Sequence, residues 1–216
     1  MIQYIFLTLL ILITYLSAFK KNKPTCNRYV QNVYLYLATA VSLLGIFVNI
    51  LPTIMVRYFL YAVVLSFVSL ILLFTRNPNV LLNHILWVVF ILSISVILLP
   101  YKPYLLYSMV STCIIFILMT FVATTFKSFF DTYTNFIGMG LFVSLVAIII
   151  TEIFLILTNM HNRSLFSYLV IILFSIFIAY DTNRLYYYAK TCVKSPNYPM
   201  QSTHLFLDII NILVRQ

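Results

Sequence analysis

Acidic residues are few in this sequence and are costly to place in apolar segments, so their positions come first. The 216-residue chain has only four of them: Asp131, Glu152, Asp181 and Asp208. Asp131 follows Lys127 between two apolar runs, where we expect a solvated charge in a loop. The other three lie in or at the edge of long apolar runs. A carboxylate inside a bilayer costs several kcal/mol unless it is paired, hydrated or protonated, so these three are candidates for handling ions or protons.

Asp208 belongs to a polar stripe near the end of the chain. His204, Asp208, Asn211 and Arg215 recur at helical spacing and would share one face of a helix. The run 203–216 has 14 residues, about 21 Å of helix against about 30 Å of hydrocarbon. It therefore predicts a half-helix that enters the membrane and ends inside the protein, with Thr203 as its N-cap.

Asp181 ends the preceding apolar run, and its simplest role would be to reach the lipid headgroups. If the polar stretch 182–202 returns the chain to the same face, however, Asp181 and Asp208 come within hydrogen-bonding reach. Two such carboxylates cannot both ionise cheaply, so the pair would share a proton at lower pH and separate when it is lost. Arg76, at the end of the third run, is the cation that we expect to favour the ionised form.

Glu152 lies in the half of its run that is distant from Asp131. Two interpretations stay open for it. It is either a cation ligand at the mouth of a pore or the partner of a neighbouring Thr or Tyr side chain.

The elements that must position these residues are membrane helices. Hydrophobic residues make up 63% of the chain and charged residues only 8%, which is too few charges to cover the surface of a soluble domain. Long continuous apolar runs favour helices over the alternating pattern of a membrane β-barrel. With about 20 residues needed to cross, the runs are 2–19, 30–51, 54–74, 82–100, 103–126, 135–158 and 164–181, followed by the shorter run 203–214. The predicted fold class is an all-α, polytopic transmembrane bundle.

Positive charges orient this bundle, because cytoplasmic loops carry an excess of Lys and Arg. With the loop after the first run in the cytoplasm, the inside loops hold Lys20, Lys21, Lys23, Arg28, Arg76, Lys127, Arg184, Lys190 and Lys194. The outside loops hold only Arg57, Lys102 and Arg163. The N-terminus is thus predicted outside and the stretch 182–202 inside. The glycosylation sequon at Asn162 falls in an outside loop, as this topology requires.

The first run, residues 1–19, has two interpretations. It could be a cleaved signal sequence, since Ser17 and Ala18 are small residues of the kind found at a cleavage site. No basic residue precedes the apolar core, however, and the positive charges follow it. We therefore favour an additional, uncleaved transmembrane helix, with the main domain spanning 28–216.

Several functional classes find no support in the residues. The net charge of +9 is scattered between apolar runs, which argues against nucleic-acid binding. The histidines form no metal-ligand motif, and the three glycines cannot build a phosphate-binding loop, so we expect no enzyme activity, no metal and no cofactor. The cysteines are odd in number, lack metal-ligand spacing and are interpreted as free thiols: Cys26, Cys113 and Cys192.

The C-terminal residues resemble a known family. Tyr180-Asp181-Thr182, followed after a basic stretch by Leu205-Phe206-Leu207-Asp208-Ile209-Ile210-Asn211, is similar to the C-terminal signature of the Bax inhibitor-1 (TMBIM) membrane proteins, which include the lifeguard and Golgi anti-apoptotic proteins. Asn32-Val33-Tyr34 is similar to the start of the first family helix, and Thr112–Thr125 with Lys127-Ser128-Phe129-Phe130 to the fourth helix and its loop. The resemblance covers the chain from about residue 28 to its end.

The resemblance implies six helices around a short, re-entrant seventh, and a pH-sensitive calcium leak from intracellular stores that modulates cell death. The implied ion-pathway residues are Asp181, Asp208 and Arg76, to which we add His204, Asn211 and Glu152. The implied partners are membrane lipid, calcium or protons, and other membrane proteins of the cell-death machinery. The implied location is the endoplasmic reticulum or Golgi rather than the plasma membrane.

Two alternatives to conduction stay open. The third family helix carries no acid between Ile91 and Ser95, where many relatives have one, which favours a non-conducting interaction protein that regulates apoptosis or trafficking. A proton-coupled transporter could use the same carboxylates, although no inverted repeat is evident.

Overall fold

The computed structural model is almost entirely helical and describes residues 2–21, 23–75, 79–158, 163–192 and 196–216. The described residues form eight α-helices: α1 Ile2–Ala18, α2 Tyr29–Ile50, α3 Phe59–Phe74, α4 Val80–Leu98, α5 Leu105–Thr125, α6 Lys127–Leu157, α7 Arg163–Thr191 and α8 Tyr198–Arg215. Short 3₁₀ turns, Thr53–Tyr58 and Leu99–Tyr101, precede α3 and follow α4. Two strands of two residues each, β1 Phe19–Lys20 and β2 Lys23–Pro24, pair antiparallel between α1 and α2.

Six of the described helices are long and apolar enough to cross a membrane. They are α2, α3 with its 3₁₀ turn, α4, α5, α6 and α7. Helix α1 is apolar but has only 17 residues. Large apolar side chains such as Phe136, Phe142 and Ile150 of α6 are exposed, as lipid contact allows. The prediction of an all-α, multi-pass integral membrane protein is confirmed.

The chain divides into two compact units, the first of which comprises Met1–Tyr104 and Tyr188–Phe206. Within it α1 packs on α2, and both α2 and α3 pack on α4. The buried residues of α2 recur every three or four positions and form the stripe that meets its neighbours: Val33, Leu37, Ala40, Leu44 and Val48. Buried serines of α3 and α4 donate hydrogen bonds to carbonyl groups of their own helices, so these hydroxyls are satisfied: Ser66, Ser69, Ser93 and Ser95.

The second unit comprises Leu105–Tyr187 and Leu207–Gln216. Its core is a stripe on α7 in which the spacing is always four residues, packed with one residue of α8: Phe166, Val170, Phe174, Ile178 and Ile212. A smaller cluster of Ala123, Phe130 and Ala179 joins α5, α6 and α7. These two clusters fix the part of α7 that carries Asp181.

Three helix boundaries differ from the sequence prediction. Helix α6 starts at Lys127 rather than near 135, so Asp131 lies on a helix and not in a loop. Helix α7 continues to Thr191, although 182–202 was predicted to be a polar connection. Hydropathy falls after Asp181, but residues 182–191 contain no Gly or Pro, so nothing in them stops a helix.

Helix α8 also begins earlier than predicted. It starts at Tyr198 and has 18 residues, about 27 Å rather than about 21 Å. The prediction of Thr203 as N-cap is wrong, because its hydroxyl lies inside the helix and donates to the Pro199 carbonyl. Asn197 takes that role instead, since its side-chain oxygen accepts from the backbone N–H of Met200.

Candidate functional site

Asp208 is the most buried of the four acids. It is 5% exposed, and its Oδ2 has no hydrogen-bond partner among the residues that the structure describes. None of the 18 residues of α8 is exposed. Because a buried, unpartnered carboxylate oxygen is costly, such an atom marks a place where a proton or a cation can bind.

Asp181 lies on α7, half-buried, in the same unit as Asp208. The two carboxylates interact electrostatically, and the repulsion between like charges raises the energy of the doubly ionised pair. Asp181 also interacts with the guanidinium group of Arg184, about one helical turn further along α7. The structure thus brings together two carboxylates and one cation.

The cation that the structure places at this site, Arg184, was not selected from the sequence. Arg76 lies outside the described residues, so its assignment stays a prediction. Arg184 was not selected, because residues after Asp181 were expected to form a loop. On a helix, the spacing of three residues would have identified it.

The other members of the polar stripe on α8 have separate surroundings. The ring of His204 packs edge-on against Phe74, with 4.7 Å between ring centres. The Asn211 side chain donates to the carbonyl of Leu207 in its own helix at 2.8 Å. Both were predicted to be near the ion pathway, and neither contact involves a carboxylate.

Glu152 forms an ion pair with Arg215 at the last position of α8. Arg215 also lies over the ring of Phe166, 5.6 Å from its centre, and Ser111 donates a hydrogen bond to Gln216. Arg215 was not among the partners considered for Glu152. The pair joins α6 to the end of the helix that carries Asp208.

Three contacts between α6 and α7 position Asp181. The amide of Asn183 donates to Asp131 Oδ1 at 3.1 Å, and Lys127 Nζ lies 4.9 Å from the centre of the Tyr186 ring. A Cβ built on Gly138 would lie 2.5 Å from the hydroxyl oxygen of Tyr180, so only glycine allows this approach. Asp131 is exposed, as expected of a solvated charge, but it lies on α6 rather than in the predicted loop and contacts α7.

A buried hydrogen-bond cluster in the first unit holds the start of α8. Asn32 is fully buried, and its amide donates to the carbonyl of Asn27 at 3.0 Å and to the Tyr198 hydroxyl at 3.1 Å. Its side-chain oxygen accepts from the hydroxyl of Ser17 on α1. The Tyr198 hydroxyl in turn donates to the carbonyl of Thr25. The first residue of α8 is therefore bonded both to the segment before α2 and to α2 itself.

A disulfide between Cys26 and Cys192 reinforces this anchor, with 5.9 Å between the two Cα atoms. The interpretation of these two cysteines as free thiols is wrong, and only Cys113 is free. The two are 166 residues apart, so their spacing carries no signal of the pairing. The bond also shows that the segments before α2 and after α7 are adjacent.

These features define a class: a multi-pass helical membrane protein with a carboxylate buried in its C-terminal helix and a second one on the preceding helix. The sequence model of the family described as inhibitor of apoptosis-promoting Bax1 matches residues 26–215. The chain therefore belongs to the Bax inhibitor-1 family, and the resemblance found in the sequence is confirmed. A comparison with curated proteins finds no match. Helix α1 lies outside the matched residues.

Proposed function

We propose that this protein is a pH-sensitive calcium leak channel of the endoplasmic reticulum or Golgi membrane that modulates cell death, with no catalytic role. The observation that carries the proposal is the buried Asp208, whose Oδ2 has no partner within the described part of the chain and whose charge interacts with that of Asp181. Membership of the family supports the link to apoptosis inhibition. Lipid, calcium or protons, and other membrane proteins of the cell-death machinery are its proposed partners.

The proposed gate works through one proton. At low pH the two carboxylates share a proton, which removes the repulsion between them. As the pH rises the proton leaves, both groups are ionised, and Arg184 compensates only one of the two charges. The pair then separates, and its oxygens, which are ligands that Ca²⁺ prefers, become available to the ion. Leak should therefore increase from pH 6 to pH 8.

Calcium flux from liposomes tests this proposal directly. The purified protein is reconstituted, and flux is measured at steps from pH 6 to pH 8 for the parent, Asp181→Asn and Asp208→Asn. We expect both variants to flatten the pH profile, because a neutral amide cannot take part in the shared proton. Arg57→Gln is the control, since it removes the charge of an exposed side chain outside the unit that contains both carboxylates. Unchanged profiles in Asp181→Asn and Asp208→Asn would refute the gate.

A second candidate function is that of a non-conducting interaction protein. The segment Ile91–Ser95 of α4 has no acid, and the hydroxyls of Ser93 and Ser95 donate to carbonyl groups of their own helix. These side chains therefore offer few free ligands to a passing cation. Absence of flux in liposomes, together with protection from cell death that survives both Asp substitutions, would favour this function.

A further inference from the structure

A cavity of about 560 Å³ lies between α1, α2 and α4, within the first unit. We call it the α1 cavity. Its size falls in the range of about 300–1000 Å³ that is usual for small-molecule sites. Its walls are overwhelmingly apolar, and it is partly open on one side. Four of its lining residues, among them Thr14 and Phe19, precede residue 26, so the cavity depends on the helix that the family match does not cover.

Four polar side chains that line the α1 cavity have their protons committed to other groups: Tyr36, His84, Thr14 and Thr39. The Nδ1 atom of His84 is 2.7 Å from the carbonyl of Val80, which can only accept, so a neutral imidazole carries its proton there. The Nε2 atom then accepts from the Tyr36 hydroxyl at 2.7 Å. Thr14 and Thr39 likewise donate to carbonyl groups of their own helices, at 2.7 and 2.8 Å. The hydroxyl oxygens of Tyr36, Thr14 and Thr39 thus offer lone pairs to an occupant, which suits a hydrogen-bond donor.

Among the residues that the structure describes, the lining includes no Lys, Arg, Asp or Glu. A phosphate or carboxylate headgroup would therefore lie in an apolar wall without a counter-charge, which is costly. The polar groups are also unevenly placed. Tyr36 stacks on Tyr198 at the start of α8, whereas Leu43 lies about two turns further along α2. One end of the cavity thus suits a neutral donor, and the other end suits a hydrocarbon body.

Aromatic rings form much of the wall near the donor end, with Tyr36 packed against both His84 and Trp87. A rigid, fused-ring lipid loses little conformational freedom against such flat surfaces, whereas a flexible acyl chain loses more. We propose that the α1 cavity binds one sterol, with its single hydroxyl donating to the Tyr36 oxygen and its ring system lying along α1, α2 and α4.

Photolabelling of the full-length protein in phosphatidylcholine vesicles tests this assignment. The probe is a cholesterol analogue with a diazirine on its ring system, and labelled peptides are mapped by mass spectrometry. We expect labelling on peptides of α1, α2 and α4 that excess cholesterol displaces. Cholesteryl methyl ether, which cannot donate, should compete about two- to tenfold less well. Equal labelling of α5 and α6 would mean only non-specific contact with bilayer lipid and would overturn the proposal.

Two substitutions and one control sharpen the test. Leu43→Trp fills the cavity and should reduce labelling of α1, α2 and α4 to the level of α5 and α6. Leu60→Trp adds the same ring at an exposed position of α3 and should leave the labelling unchanged. Tyr36→Phe keeps the volume but removes the acceptor, so the affinity should fall about two- to tenfold even if Leu43→Trp fails to fold. If oleic acid or dioleoylglycerol displaces the probe as effectively as cholesterol does, the choice of a sterol is overturned. If cholesteryl methyl ether competes as well as cholesterol does, the proposed hydrogen bond to the Tyr36 oxygen is overturned.

Discussion

Replacing Glu152 by Gln should destabilise the protein through Arg215. The two side chains form an ion pair and are 36% and 26% exposed, respectively, so the pair is neither fully buried nor a free surface contact. A surface pair in water contributes about 0–1 kcal/mol, and breaking a buried pair costs about 3–5 kcal/mol. Arg215 is the last residue of α8 and can extend toward the interface, and its contact with Phe166 remains. We therefore expect Glu152→Gln to cost about 1–3 kcal/mol.

A double-mutant cycle in lipid nanodiscs measures this interaction. The parent, Glu152→Gln, Arg215→Gln and the double variant are unfolded thermally, with roughly 2–4 °C of Tm expected for each kcal/mol in a chain of this size. The double variant should be less destabilised than the sum of the two single variants by about 1–2 kcal/mol. Asp131→Asn is the control, because its partner Asn183 is neutral and no charge is left behind. Single effects that add to within about 0.5 kcal/mol would refute the coupling.

Three further predictions concern packing, the buried hydrogen bonds and the disulfide. Gly138→Ala should lower the Tm and, because Tyr180 precedes Asp181, should also alter the pH profile of flux. Gly140→Ala adds a Cβ that meets nothing within 4 Å, so it should do neither. Equal effects of the two substitutions would contradict the close approach of Gly138 to Tyr180. Asn32→Ala should lower the free energy of unfolding by about 1–3 kcal/mol, measured by thermal unfolding, because it leaves buried partners unsatisfied. Gln31→Ala, at the exposed neighbouring position, should change stability little. Similar losses of stability in the two variants would rule out the hydrogen-bond cluster as the cause. If the charge bias sets the orientation, a membrane-impermeant phosphine should reduce the Cys26–Cys192 bond from the cytosolic face of sealed microsomes. The freed thiols are detected by the gel shift that maleimide-PEG produces. Reduction only after detergent is added would reverse the orientation.

That last experiment is needed because two physical arguments oppose each other. Nine basic residues against three place the segments before α2 and after α7 in the cytosol. Stable disulfides, however, are typical of the lumen and the cell exterior, and cytosolic ones are usually transient or redox-sensing. The structure shows that the two segments are joined, and only the accessibility of the bond assigns them a compartment.

Local physical chemistry was enough to predict the helices and the unusual position of Asp208. Continuous apolar runs imply spanning helices, and the spacing of His204, Asp208, Asn211 and Arg215 implies one helix face, both without any tertiary information. The end of α7 was not predictable from hydropathy, because residues 182–191 are polar but contain no helix breaker. The pairing of Cys26 with Cys192 depends on how the helices pack, which no local pattern encodes.

The partner of Glu152 was missed because of helix length. A half-helix starting at Thr203 would end well inside the membrane and leave Arg215 distant from the half of α6 that carries Glu152. The observed start at Tyr198 adds about a turn and a half, and Arg215 then reaches Glu152. The N-cap error at Thr203 and the missing ion pair therefore have the same cause.

These contacts restrict how Asp208 can act as a gate. Helix α8 is held at its first residue by hydrogen bonds of Tyr198 and the nearby disulfide, and at its last residue by the ion pair of Arg215. A helix fixed at both ends cannot shift as a whole when one carboxylate loses a proton. The proposed gate must therefore work either by a bend of α8 or by a movement of Asp181 on α7. Reducing the disulfide weakens one anchor and Glu152→Gln weakens the other. If α8 bends, disulfide reduction and Glu152→Gln should each increase flux at a given pH. If only Asp181 moves, neither perturbation should increase flux, and Gly138→Ala should change flux more than either of them.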